Sequence, residues 1–433
     1  MGLKMKITVD VVNFRVRAAQ ILEKGVSMGP VRIKDNVYWV GVLDWDIRDF
    51  HGYSTPKGTT YNSYLVIDEK ITLFDGVKKP FKNDLLESIA QIVDPRKIDY
   101  LVVNHVEMDH SGSIPEIVEL IQPQKVLCSP MGKKALIDHF NREDWPFEVV
   151  ETGQTLKLGK KSVSFFETRM LHWPDSMMSY LNEDKILISS DAFGEHWATS
   201  ERFDDQVDSG ELFGHAAKYY ANILLLYSPL VQKLIAKLAQ AGIEPSMIAP
   251  DHGVIWRRDI AGIISAYARW SKQESLRKAL VIYDTMWQAT ASMAEAVGEG
   301  LKREGFDFKL FNLKFNHRSD IMTEVLDASA LIIGSATINN GMMPAMADLL
   351  TYMKGLKPHG KVGAAFGSYG WSGEAVKQIA DWMREINIHM VGDGLRVKFT
   401  PKKQDLENCI ELGRQVAREA LAREAGISTP KTD

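Results

Sequence analysis

Asn104-His105-Val106-Glu107-Met108-Asp109-His110-Ser111-Gly112 follows directly on Ile98-Asp99-Tyr100-Leu101-Val102-Val103. The earlier run has the length and β-branched content of a buried strand, so a polar cluster begins where a strand ends. Four potential metal ligands are packed into six positions. In extended backbone alternate side chains share a face, which lets His105, Glu107 and Asp109 converge, and Gly112 lets the chain turn away. A short motif of this kind also occurs as an ordinary polar loop. The choice depends on whether further ligands follow along the chain.

Three later stretches place candidates at strand or loop ends: Leu171-His172-Trp173-Pro174-Asp175, Ser189-Ser190-Asp191-Ala192-Phe193-Gly194 and Ala249-Pro250-Asp251-His252-Gly253. Each alone is weak, since a histidine beside Trp173 packs readily in a core and Asp191 after an apolar run is also a turn residue. Together and in this order they point to a metal site.

Composition sets the frame. The 433 residues are 45% hydrophobic and 25% charged, an ordinary globular profile too long for one typical core, so two domains are expected. A formal charge of -4 gives no basic field for nucleic acid. Only Cys128 and Cys409 occur, which excludes a disulfide framework or an iron-sulfur module on this chain and fits a reducing cytoplasm. No apolar run reaches membrane-spanning length. Residues 1–30 read as an N-terminal extension without the core of a secretory signal.

From 31 to 274 the chain reads as short strands with a few helices: strands over 37–42, 61–67, 70–75, 125–128, 162–167 and 185–189, and a long helix over 216–241 with Pro229 marking a kink or break. Strands and helices then alternate regularly from 275 to 433, as a doubly wound parallel sheet requires. Three loops follow strands of this second part: Thr285-Met286-Trp287-Gln288-Ala289-Thr290, Ala336-Thr337-Ile338-Asn339-Asn340 and Ser368-Tyr369-Gly370-Trp371-Ser372-Gly373. The first precedes a helix N-terminus, which attracts an anion. The others supply backbone donors and aromatic rings for a planar heterocycle. Neither G-K-[ST] nor G-x-G-x-x-G is present, so a nucleoside triphosphate or a dinucleotide fits less well.

The ligand order resembles the metallo-β-lactamase motif H-x-H-x-D-H, with Glu107 in place of the second histidine. A hard anionic oxygen there moves the preference from zinc toward iron. H-x-E-x-D, L-H-W-P-D-S-M, P-D-H-G-V-I, T-M-W-x-x-T and G-S-Y-G-W-S-G together resemble the flavodiiron proteins. The resemblance implies an α/β chain: a metallo-β-lactamase-like αββα sandwich followed by a flavodoxin-like doubly wound parallel sheet. It also implies one FMN on the three loops, with Gln288 replacing a common flavodoxin glycine, and two non-haem iron ions. His105, Glu107 and His172 would hold one iron, Asp109 and His252 the other, and Asp191 would bridge; His110 is expected to turn away. Charge counting agrees, because three carboxylates and a bridging hydroxide balance two ferrous ions.

The activity so implied is reduction of O₂ to water, of NO to N₂O, or of both, in the cytoplasm. Tyr53 resembles the family's tyrosine near the irons, a donor of a hydrogen bond or proton. No rubredoxin-type module follows Asp433, so rubredoxin or a similar small carrier is the expected donor. Sites on two neighbouring domains of this size lie on the order of 40 Å apart. A head-to-tail homodimer, with a dimer of dimers as a further option, would bring one chain's flavin to the other's irons, with Trp173 and Trp371 as expected contacts. Two readings compete: a zinc hydrolase with an accessory flavodoxin-like domain, and a sensor of O₂ or NO.

Overall fold

The computed structural model describes residues 29–426; the extension read over 1–30 lies, through residue 28, outside them. Among the described residues the first part is built on two facing sheets. One runs Val31–Lys34, Val37–Trp39, Tyr64–Val66, Thr72–Phe74, Tyr100–Val103, Lys125–Cys128, Phe147–Val149. The other runs Thr155–Lys157, Ser162–Glu167, Met177–Leu181, Ile186–Ile188, Met247–Ala249. The period-two alternation of strands explains the layers. Tyr100 and Val102 point between the sheets with Tyr64, Phe74, Phe165 and Ile188. Leu101 and Val103 point outward onto Ile89, Ile117 and Leu136 of the covering helices. Each fully buried side chain of this kind contributes roughly 1.5–3 kcal/mol. The result is the αββα sandwich.

Three expected elements are divided, and the strand read over 61–67 is one of them, split between Thr59–Tyr61 and Tyr64–Val66. Val37–Trp39 stays in the large sheet, whereas Val42–Asp44 leaves it to pair with Thr59–Tyr61. Gly41 permits the break, because a Cβ there would strike the Tyr61 carbonyl oxygen. The helix expected over 216–241 is two helices, Ser209–Tyr219 and Ser228–Gln240, separated by a π turn at Tyr220–Leu224. Pro229 sits in the first turn of the second helix, where its missing N–H costs nothing. Within the π turn, Asn222 Nδ2 donates to Lys218 O and, across to the second half of the molecule, to Ser319 O.

The second half is a parallel sheet ordered Asp307–Asn312, Leu276–Asp284, Ala328–Ser335, Val362–Tyr369, His389–Met390. Leu395–Lys398, which the sequence reading missed, also pairs with Val362–Tyr369, at that strand's carboxyl end. One face packs on Val297, Leu301, Cys409 and Val416 of the helices Ala289–Arg303 and Lys403–Glu424. The other face packs on Ile321, Met322, Leu349, Met353 and Ile379 of the helices Arg318–Val325, Pro344–Leu356 and Glu374–Glu385, and through them one apolar cluster continues to Leu212, Leu224, Ile248 and Tyr267 of the first half. Both cysteines are buried. No helix among the described residues is long and apolar enough to cross a membrane.

Candidate metal and flavin sites

Strand Tyr100–Val103 ends just before His105, and the short helix Met108–Ser111 starts just after Glu107. His105 Nε2 lies 3.3 Å from both Glu107 Oε2 and Asp191 Oδ2. His172 Nε2 lies 3.2 Å from the same glutamate oxygen and 2.9 Å from the same aspartate oxygen. On the far side of Asp191, its Oδ1 is 3.4 Å from His110 Nε2 and 3.5 Å from His252 Nε2, and Asp109 Oδ2 is 3.2 Å from each of those imidazoles. Asp191 therefore offers one oxygen to each of two ligand groups. Two donor atoms bound at right angles to one ion, each at about 2.1 Å, stand about 3 Å apart, close to the spacing seen here.

The buried atoms support that fit. Both carboxylate oxygens of Asp109, Asp191 Oδ1 and both ring nitrogens of His110 have no hydrogen-bond partner. A buried, uncompensated charge costs roughly several kcal/mol, and a pair of cations removes that cost. Burial opposes a charge on His105, yet hydrogen bonds to Asp175 and Glu107 push its pKa well above the usual imidazole range. Burial likewise works against ionised Glu107, but His105 and His172 hold it below the ordinary carboxylate range. Protons and metal ions compete for these same atoms.

A second layer orients the imidazoles. Asp175 Oδ2 accepts from His105 Nδ1 at 3.1 Å and from the Val106 amide at 2.7 Å. His252 Nδ1 donates to the Thr60 carbonyl at 2.6 Å. Both contacts leave Nε2 pointing into the cluster.

His110, expected to turn away, turns in. Extended alternation stops at Glu107, because the amides of His110 and Ser111 both bond back to the Glu107 carbonyl and the chain becomes helical. Asp109 and His110 then face the cavity as neighbours on one helical turn. Tyr53 stands further back: its buried ring is 5.1 Å from that of His196, which in turn is 4.6 Å from that of His252. Its hydroxyl has no partner, and burial keeps it protonated. His196 itself was missed by sequence reasoning, as were two further residues nearer than Tyr53. His51 Nε2 is 3.7 Å from Glu107 Oε1, and the Tyr219 ring is 6.0 Å from that of His252. His51 had a signal in its His-Gly turn; Tyr219, inside a helix, had none.

At the carboxyl edge of the parallel sheet lies a pocket of about 430 Å³. It brings together Met286, Trp287 and Ala289, then Ala336 and Thr337, then Ser368, Tyr369, Gly370 and Trp371. Thr285, Gln288, Thr290, Ile338, Asn339, Asn340, Ser372 and Gly373 do not line it. Several of these shape its loops. Gln288 holds φ 65° before helix Ala289–Arg303, a left-handed position that glycine fills without strain, and Asn339 and Asn340 form the tip of the hairpin pairing Thr337–Ile338 with Gly341–Met342. Thr290 Oγ1 bonds Ser368 Oγ at 2.9 Å, tying two loops together. Thr285 and Thr337 hydroxyls are buried without partners, as donors awaiting a phosphate or ring oxygen would be. Phe399 and Thr400 complete the wall from the loop after the overlooked strand.

A sandwich enclosing a two-ion cluster, joined in one chain to a doubly wound sheet with an aromatic-lined pocket, defines a class that pairs a metal centre with a flavin-type domain. Residues 59–253 match the model of ODP family beta lactamases, and residues 281–413 that of flavodoxin. A nitric oxide reductase of Moorella thermoacetica is 47% identical over 391 residues, 90% of this chain and 98% of that one. The solved rubredoxin oxygen:oxidoreductase of Desulfovibrio gigas matches with a TM-score of 0.90 at 46% identity, over 92% of this chain and 100% of that one. The flavodiiron protein of Giardia intestinalis matches with a TM-score of 0.89 at 35% identity, over 94% and 100%. The chain belongs to the flavodiiron protein family.

Proposed function

We propose that this protein is an oxidoreductase of O₂, NO or both, with FMN and two non-haem iron ions as cofactors and rubredoxin or a similar small carrier as electron donor. The observation that carries the reading is Asp191, whose two oxygens each face a separate set of imidazoles and carboxylates. His105, Glu107 and His172 would hold one ion, and Asp109, His110 and His252 the other. With three side chains and one shared oxygen apiece, each ion keeps fewer than six protein donors, so a diatomic gas has a place to bind. When bound, FMN supplies one-electron transfer and the ions supply reducible sites.

The chain's own residues set the conditions for this chemistry. Asp175 fixes the tautomer of His105 by accepting from its Nδ1. Tyr53, Tyr219 and His196 wall one side with buried rings, and Tyr53 keeps its hydroxyl proton available as a donor. At the other site the Thr337 hydroxyl and the N-terminus of helix Ala289–Arg303 suit the phosphate, while Tyr369, Trp287, Trp371 and Phe399 suit the ring system.

The division into 31–274 and 275–433, preceded by an extension, belongs to the same proposal, as does a cytoplasmic location, which two buried free thiols favour. So does a head-to-tail homodimer. Exposed Trp287, Trp371 and Phe399 rim the flavin pocket, and exposed Met108 and half-buried Trp173 lie by the metal cluster, so each rim has apolar surface for the other to cover. The test is steady-state consumption of O₂ and of NO, side by side, by the anaerobically reduced protein with rubredoxin as donor, together with iron and FMN analysis. Turnover of either gas is expected; zinc without FMN would favour a hydrolase, and no turnover with a competent donor would favour a sensor.

A further inference from the structure

His51 reaches the mouth of the metal cluster on a hairpin that cannot hold itself. Asp49–Phe50 pairs with Tyr53–Ser54 through two residues on each side, and a ladder that short is marginal in water. Its turn puts two left-handed residues in succession, His51 at φ 55° and Gly52 at φ 84°. The base is tied locally, by the Thr55 amide to the Arg48 carbonyl and by Lys218 Nζ to Ser54 Oγ at 2.8 Å. Inside the turn the Gly52 amide donates to Asp49 Oδ1 at 3.0 Å, and the Phe50 and Tyr53 rings pack 4.7 and 5.1 Å from that of His196; further ties come from the flavodoxin-like half. Ser319, fully buried at the start of helix Arg318–Val325, accepts the Ser54 amide on Oγ at 3.1 Å and shares a hydrogen bond with Ser54 Oγ at 3.0 Å. Arg318 presses on the turn so closely that a Cβ at Gly52 would strike its guanidinium. Asp348 grips that guanidinium with both oxygens, at 2.6 and 2.7 Å, and the Tyr352 ring lies 5.2 Å beneath it.

We propose that Arg318 and Ser319 are positioning residues for the metal pocket of their own chain: they clamp the hairpin 49–54 so that His51 stays beside Glu107 at the entrance. The flavodoxin-like half thus has a second role, independent of any cofactor it holds, in completing the wall past which a small substrate reaches the ions. Glycine at 52 fits this role, since any side chain there would displace Arg318. The consequence for substrate entry rests on the proposed assignment of Glu107 as a ligand; the clamp itself does not.

The experiment is hydrogen exchange at the amides of residues 50–54 in the protein as isolated, for the parent, Ser319→Ala and Gly52→Ala, with turnover of each and of His51→Ala. Loss of hydrogen bonds worth a few RT should raise exchange at Ser54 and the turn by roughly five- to tenfold in Ser319→Ala, and Gly52→Ala should do the same from the other side. Iron and FMN content should match the parent, and Ser319→Ala combined with His51→Ala should turn over no more slowly than His51→Ala alone. Unchanged exchange in both single variants would overturn the proposal. So would losses that multiply in the double variant, or loss of iron or FMN from Ser319→Ala, because the effect would then not run through His51. A parent protein that holds no iron would sink the ligand assignment, while the exchange measurement would still decide the clamp.

Discussion

Around the metal cluster His105, His110, Asp191 and His252 are at most 2% exposed, whereas at the flavin pocket Trp287 is 88% exposed and Trp371 77%. The first site is largely buried and highly charged, opening only at Glu107 and His172, and its donors come from strand ends far apart in the chain. The second is open and largely apolar, and its groups sit on loops along one sheet edge. Binding at the first is driven by neutralising buried carboxylates, so its residues should act together. Binding at the second is the sum of separate loop contacts, so single changes there should be graded and local.

Asp191→Ala gives the sharpest test of this contrast. It should strip iron from both positions and lower turnover by more than the ~100-fold that loss of an outer-layer partner brings, while FMN stays at the parent level. Metal analysis with flavin absorbance checks this, and one ion retained at full occupancy would break the idea of a shared carboxylate. Asp175→Ala comes next: iron affinity or turnover should fall roughly 10- to 100-fold, read by chelator competition, because His105 loses its Nδ1 acceptor. At the open site, Thr337→Val should weaken FMN about fivefold to tenfold in a fluorescence titration and leave iron untouched, because Thr337 lines the pocket with an unpartnered hydroxyl; a concurrent loss of iron would erase the distinction between the sites.

A further expected effect lies away from both. Burial lowers the ammonium of Lys361 to about 7 despite nearby Asp327, and its Nζ reaches only Ser275 Oγ and the Leu326 carbonyl. Between about pH 7 and the ordinary lysine value of 10.5 the unfolded chain holds the proton that the folded chain gives up, so stability should rise with pH across that window. Denaturant midpoints measured from pH 7 to 10 should climb for the parent relative to Lys361→Met; parallel curves would refute it.

Much of this was legible in the sequence for a definite reason. His105, Glu107, His172, Asp191 and His252 stand at the ends of apolar runs or in tight loops, and the second half alternates strand and helix at even spacing, so local pattern and tertiary role coincide. His110 was set aside on the family resemblance, which says nothing of this chain's local backbone; its direction here depends on bonds back to the Glu107 carbonyl. His51 acquires its place only when a turn folds over another loop and a helix from the other half holds it there. Phe399 and Thr400 escaped because they follow Leu395–Lys398, a strand with Val397 as its one buried residue. Gly41 and the π turn at Tyr220–Leu224 show the same limit: close backbone approach and an inserted side chain leave little trace in periodicity.

One apolar cluster runs from Ile248 and Leu224 of the first half, through the helices between, to Leu280 and Ile333 of the second, so the halves share a buried seam rather than sitting as two beads on a string. Cut apart, each would bare its share of that seam to water and become prone to aggregation, so neither half is an interchangeable cassette.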